Sequence, residues 1–169
     1  MEINGVAHIQ LTVNDFERCA RFYKKLLPFL GMKPVFDADG FLYHIGGRTA
    51  VAIAPADERH RGERFEQRRI GLHHVCFRAR ERGDVDAIHQ FLVEVGATIV
   101  HPLEDGPWAP GYYSVLFEDP DGIRIEVSHV PGRGLLAETW VASGLSSPDH
   151  CRMLGRRVEE YMPRKEVRS

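Results

Sequence analysis

GLHHVCFRA, residues 71–79, repeats the pattern of GVAHIQLTV, residues 5–13, and the overlay pairs His74 with His8. Both stretches read as β-strands. Successive strand side chains point to opposite faces. In the first, Ile9, Leu11 and Val13 share one face, and His8, Gln10 and Thr12 the other. In the second, Val75, Phe77 and Ala79 oppose His74, Cys76 and Arg78. On this reading His73 faces the helix side or the sheet edge, and His74 is the repeat-equivalent of His8.

The segment after each of these strands repeats as well. Asn14 or Asp15 can cap a helix in DFERCARFYKKLLPFLGM, where Phe16, Cys19 or Ala20, Tyr23, Leu26 or Leu27 and Leu30 recur at helical spacing and Gly31 is the stop. Pro28 is expected to end the regular helix early. Asp84 can cap DVDAIHQFLVEVGA, with Val85, Ile88, Leu92 and Val95 as its buried stripe and Gly96 as its stop. KPVF, GFLYHI and RTAVAIA then read as strands after the first helix. TIVHP, YYSVLFE and IRIEVSHV come after the second, the last two joined by the turn DPDG. The period is roughly 65 residues.

This pattern predicts an α+β fold of two tandem βαβββ modules, residues 4–56 and 70–130. A polar linker at 57–69 joins them, and a C-terminal extension at 131–169 reads as helical. One helix covers only one face of a sheet. The uncovered faces are expected to meet and enclose a cleft, giving a cupped, barrel-like mixed sheet. The extension is read as a packing or dimer-capping element, with a lid over the cleft as the alternative.

Composition narrows the partners. The 169 residues are 43% hydrophobic and 27% charged, with a formal net charge of −2. That balance gives no electrostatic reason to expect nucleic acid or an anionic membrane. No apolar run approaches the roughly 18 residues of a spanning helix. The start MEINGVAHIQ lacks the features of a signal peptide. The three cysteines, Cys19, Cys76 and Cys151, are widely spaced. A cytoplasmic protein with reduced thiols and a small-molecule substrate is the expectation. A homodimer stays open.

In IRIEVSHV, Arg124, Glu126 and Ser128 oppose Ile123, Ile125 and Val127. A glutamate amid Ile and Val is costly to bury without a partner. His8, His74 and Glu126 together would supply that partner through a divalent metal. Two imidazoles and a carboxylate suit Fe2+, Mn2+, Zn2+ or Ni2+ and leave coordination positions open. Gln10, Cys76, Arg78, Tyr112, Tyr113 and Arg124 are the candidate substrate contacts. Arg78 and Arg124 point to an anionic substrate such as a carboxylate. EDGPWAPGYY reads either as a rigid loop or as an aromatic wall of the pocket.

The combination of VAHIQLTVNDFERCARFYKKLLPFLG, GLHHVCFRA and LFEDPDGIRIEV resembles the vicinal oxygen chelate superfamily over about residues 4–130. Glyoxalases, methylmalonyl-CoA epimerase, fosfomycin-resistance transferases, extradiol dioxygenases and bleomycin-binding proteins share that fold. The resemblance implies a cupped sheet around a divalent metal, but does not name the reaction. Glyoxalases and the epimerase place a fourth ligand in the first module. Here Val51 aligns with Glu126, and Thr49 to Pro55 offers no Glu, Gln, Asp or His. Three ligands resemble the dioxygenase and transferase pattern, and Fe2+ with dioxygenase-like chemistry is the leading expectation. The ring-cleaving signature is incomplete, because Leu116 stands where its tyrosine belongs. A lyase or isomerase, a fosfomycin-type transferase and a metal-free bleomycin-type binder are the alternatives.

Overall fold

The computed structural model describes residues 3–38 and 40–132. The helical extension expected at 131–169 thus falls almost wholly outside the described residues, as does Cys151. Two βαβββ modules succeed one another along the chain. The first holds β1 (His8–Val13), α1 (Phe16–Phe29), β2 (Lys33–Ala38), β3 (Phe41–Gly46) and β4 (Thr49–Pro55). The second holds β5 (Val75–Arg78), α2 (Arg82–Glu94), β6 (Thr98–Asp105), β7 (Tyr113–Glu118) and β8 (Arg124–His129). Each forms a four-stranded mixed sheet, in the orders β1-β4-β3-β2 and β5-β8-β7-β6. β1 runs parallel to β4, and β5 parallel to β8. The free edges are therefore β1 and β5 on one side, and β2 and β6 on the other.

Local chemistry accounts for the elements. Asp15 caps α1 by accepting from the Arg18 N–H at 3.0 Å. Pro28 lies in the last turn, where it forfeits one hydrogen bond, to the Lys24 carbonyl, without stopping the helix, and α1 runs on to Phe29. The second helix starts earlier than its sequence cap suggested. Asp84 is its third helical residue and reaches back to accept from the Glu81 N–H at 3.0 Å. Gly47 and Arg48, with φ of 56° and 70°, form the two-residue turn between β3 and β4.

The modules meet through their helix sides. Phe29 stacks on Phe91 with ring centroids 4.4 Å apart, and Phe22 meets Phe117 edge-on. The DPDG turn is a second clasp. Asp119 accepts from the backbone N–H groups of Asp121 and Ile123 and from the buried Tyr23 hydroxyl of α1, the last at 2.8 Å. Asp121 accepts from the backbone N–H groups of Asn14 and Asp15, at the start of α1. Negative charge there also complements the helix dipole.

With the helix sides packed together, the other sheet faces remain open. His8, Gln10 and Thr12 are exposed on the first, and Cys76 and Arg78 on the second. The cavity that holds His74 and Glu126 does not have His8 on its lining.

Candidate functional site

Glu126 is the centre of the second module's open face. Its register partners are Cys76 on β5 and Leu116 on β7. Ile125 and Val127, the flanking residues, are buried toward the core. The His74 Nε2 stands 3.1 Å from Glu126 Oε2. On the other carboxylate oxygen, the Tyr112 hydroxyl donates at 2.6 Å. Burial works against the charge on Glu126. Hydrogen bonds from His74, Tyr112 and Ser114 outweigh it and hold the carboxyl below its usual range. Burial, then the bond to Glu126, raises the Tyr112 hydroxyl far above its ordinary value. The pair is thus a carboxylate and a neutral phenol.

His73 departs from its sequence reading. Regular β5 begins only at Val75, so strand alternation does not govern residues 73 and 74. The two rings lie together, with Nδ1 to Nδ1 at 2.8 Å. A bond between these nitrogens needs one to carry hydrogen and the other to accept. Desolvation, then the neighbouring His74, lowers the His73 pKa, which suits a neutral acceptor. The sequence signal that could have exposed this is the polar run into Gly71, which leaves the strand start unspecified.

These groups line a cavity of about 340 Å³, with Gln67, Trp108 and Arg124 on its walls. The loop EDGPWAPGYY does contribute an aromatic wall, through Trp108 and Tyr112. Arg124 lines this cavity too, but its Nε lies 3.4 Å from Glu118 Oε1 and its guanidinium meets the Gln67 amide oxygen. Cys76 is exposed as a residue, yet its sulfur is drawn in to 3.2 Å from Ser128 Oγ. Desolvation there, with the Glu126 charge, pushes the thiol up to about 11, which favours the protonated thiol near neutral pH.

Three candidate contacts lie elsewhere. Tyr113 is one residue out of phase with Tyr112 and points into the core. Its hydroxyl donates to Asp86 on α2 at 2.7 Å, and the Arg82 guanidinium covers its ring. Arg78 lines a different cavity, at the seam between the modules. Gln10 shares the first sheet's open face with His8.

On that first face, the register corrects one alignment. Glu126 pairs with Cys76, and Gln10, the repeat-equivalent of Cys76, pairs with Ala52. Ala52 rather than Val51 therefore occupies the position matching Glu126. Val51 is on the helix side, opposite Ile9. Neither residue has a donor atom in its side chain.

The donor set fits a metal in part. Ligands at about 2.1 Å and at right angles lie about 3.0 Å apart, close to the His74–Glu126 separation. Among the described residues, however, no group of three or more His, Cys, Asp or Glu could hold an ion. Among the described residues, His74 and Glu126 are the pair in direct approach, His101 and Glu104 line the same cavity, and His8 lies on the other sheet.

Comparison with known proteins agrees with this architecture. The family model for the glyoxalase/bleomycin resistance protein/dioxygenase superfamily matches residues 5–127. The uncharacterized protein YqjT of Bacillus subtilis is 31% identical over 124 residues, covering 71% of this chain and 94% of that one. A candidate glyoxalase structure from Bacillus halodurans has a TM-score of 0.67 at 28% identity, covering 75% of this chain and 96% of its own. A lactoylglutathione lyase from Agrobacterium tumefaciens, at 22% identity, shares the fold with a TM-score of 0.58 over 76% of this chain and 96% of its own.

Proposed function

Because the chain belongs to the glyoxalase/bleomycin resistance protein/dioxygenase superfamily, we propose that it is a metal-dependent enzyme acting on a small, oxygen-chelating anion. His74 and Glu126 would hold a divalent metal, and His8 would complete the set from a second copy of the chain. The ion would supply Lewis-acid polarisation of a chelated substrate oxygen. The observation that carries this reading is the 3.1 Å approach of His74 Nε2 to Glu126 Oε2 inside a cavity.

The chain's own residues have separable roles. His73 fixes the His74 ring. Tyr112 holds one Glu126 oxygen and leaves the other facing His74. Trp108 supplies an apolar wall for the substrate body. Arg124 offers charge to a substrate carboxylate, in competition with Glu118. Exposed apolar residues at the free edges favour a homodimer. Ile3 and Val6 precede β1, and Ile70 and Leu72 precede β5, each about half exposed or more.

Within the superfamily, oxygen-dependent chemistry at Fe2+ is our leading reaction. Ala52 provides no fourth donor opposite Glu126, so a three-ligand set keeps sites open for substrate and oxygen. Metal analysis of protein purified without oxygen, followed by oxygen-uptake assays on catechols and 2-hydroxy or 2-oxo acids, tests it. Bound iron with substrate-dependent uptake supports the reading. Bound zinc, nickel or manganese without uptake overturns it in favour of a lyase or isomerase.

A further inference from the structure

We propose that the seam between the two modules is a second ligand site, for an amphipathic anion with an apolar body and one carboxylate or phosphate head. A cavity of about 640 Å³ opens there, within the range of small-molecule sites, which favour such junctions. It lies where the end of α1 and the β3–β4 turn face the end of β5 and the first turns of α2. Leu30, Met32, Phe77, Ala87, Ile88 and Val127 give it an apolar lining. None of them belongs to the His74–Glu126 cavity.

The charge on its lining is not balanced internally. Arg78 and Arg80, two positions apart around Ala79, both border it. Neither has an ion pair or side-chain hydrogen bond to another described residue. This contrasts with Arg18, Arg82 and Arg124, each of which is held by a carboxylate. The acidic group on the same lining, Asp84, accepts from the Glu81 N–H at 3.0 Å. One engaged carboxylate thus stands against two guanidiniums. A single anionic head accounts for both arginines, and the apolar lining accounts for a tail. A fully polar anion would leave that lining unused, and a neutral apolar molecule would leave the arginines unused.

Calorimetric titration of the full-length protein with decanoate, decyl phosphate and 1-decanol tests the site and separates its head groups. One decanoate or decyl phosphate per chain is expected to bind, and 1-decanol about tenfold more weakly or worse. The Arg78→Gln/Arg80→Gln double variant changes only exposed side chains. It should lose about tenfold or more in affinity for the anions, with its thermal unfolding unchanged. Ala87→Phe, which fills the cavity without altering charge, should abolish binding. The Glu126→Gln variant should bind as the wild type does. Absence of binding up to about 1 mM would mean that the seam is filled by other parts of the chain or by a second copy, and would overturn the proposal. So would equal affinity in the double arginine variant, equal affinity for 1-decanol, or loss of binding on Glu126→Gln.

Discussion

His73 and His74 are adjacent in sequence but have different access to Glu126, and this difference sets the expected effects of replacing them. His74 presents Nε2 to the carboxylate, whereas His73 touches only the other nitrogen of the same ring. Partners of that kind orient a ligand and fix its tautomer, and removing one typically costs roughly 10- to 100-fold in metal affinity. Titration with Mn2+ or Zn2+ should therefore show most binding lost in His74→Ala and Glu126→Gln, and an intermediate loss in His73→Ala. A His73→Gln variant, which keeps an acceptor, should recover part of it. Unchanged affinity in His73→Ala would reduce that residue to packing. Much of this site was legible in the sequence, for a definable reason. Glu126 and its buried neighbours obey strict alternation, and the repeat marked His74 through His8. The misreadings sit where alternation stops or slips. His73 lies before the strand begins. Tyr113 is the first residue of β7, and its phase could not be separated from that of Tyr112. Val51 was one residue out because aligning the repeat by sequence does not show the parallel register of β1 with β4.

The DPDG turn does more than reverse the chain between β7 and β8. Asp119 ties the turn to Tyr23 of α1, and Asp121 meets the N-terminus of that helix. These contacts span the two modules and could not be read from local pattern, which shows a turn but not what it touches. They also carry a pH dependence. Burial is the main cause that raises the Asp119 carboxyl to about 6, against hydrogen bonds that favour its charge. A raised acid favours folding when protonated. Its contribution is complete below its ordinary value near 3.8 and is lost as pH rises through about 6. Asp119→Asn is uncharged throughout and keeps an acceptor oxygen. Urea unfolding at about pH 4 and about pH 7 should therefore show the wild type losing of order 2 kcal/mol more than the variant over that interval. Carboxylates that do not interact with Asp119 titrate equally in both proteins, so the difference reports on Asp119 together with its neighbour Asp121. Parallel pH profiles would show that the Asp119 charge is as well accommodated folded as unfolded.

For the molecule as a whole, the question is how His8 reaches the other two donors. Each chain exposes two unlike surfaces. The first sheet carries His8 and Gln10 beside the rings of Phe36, Phe41 and Tyr43, which neighbour one another across β2 and β3. The second sheet carries the His74–Glu126 pair in its polar cavity. On the proposed reading, a complete three-donor site would be built from two chains, the first module of each facing the second module of the other. A twofold dimer would then contain two sites, each built from the first module of one copy and the second of the other. Complementation distinguishes this from any single-chain rearrangement. His8→Ala and Glu126→Ala proteins should each bind little metal alone. When the two are mixed and allowed to exchange subunits, a heterodimer has one site lacking both residues and one site intact. With random exchange, half of the dimers are mixed, so metal binding should recover to about a quarter of the wild-type value. Size-exclusion measurements on the same samples should give the mass of a dimer throughout. If the mixture binds no more metal than its components while subunits demonstrably exchange, the three residues do not form a shared site. A monomeric mass with full metal occupancy in the wild type would instead require the modules of one chain to repack.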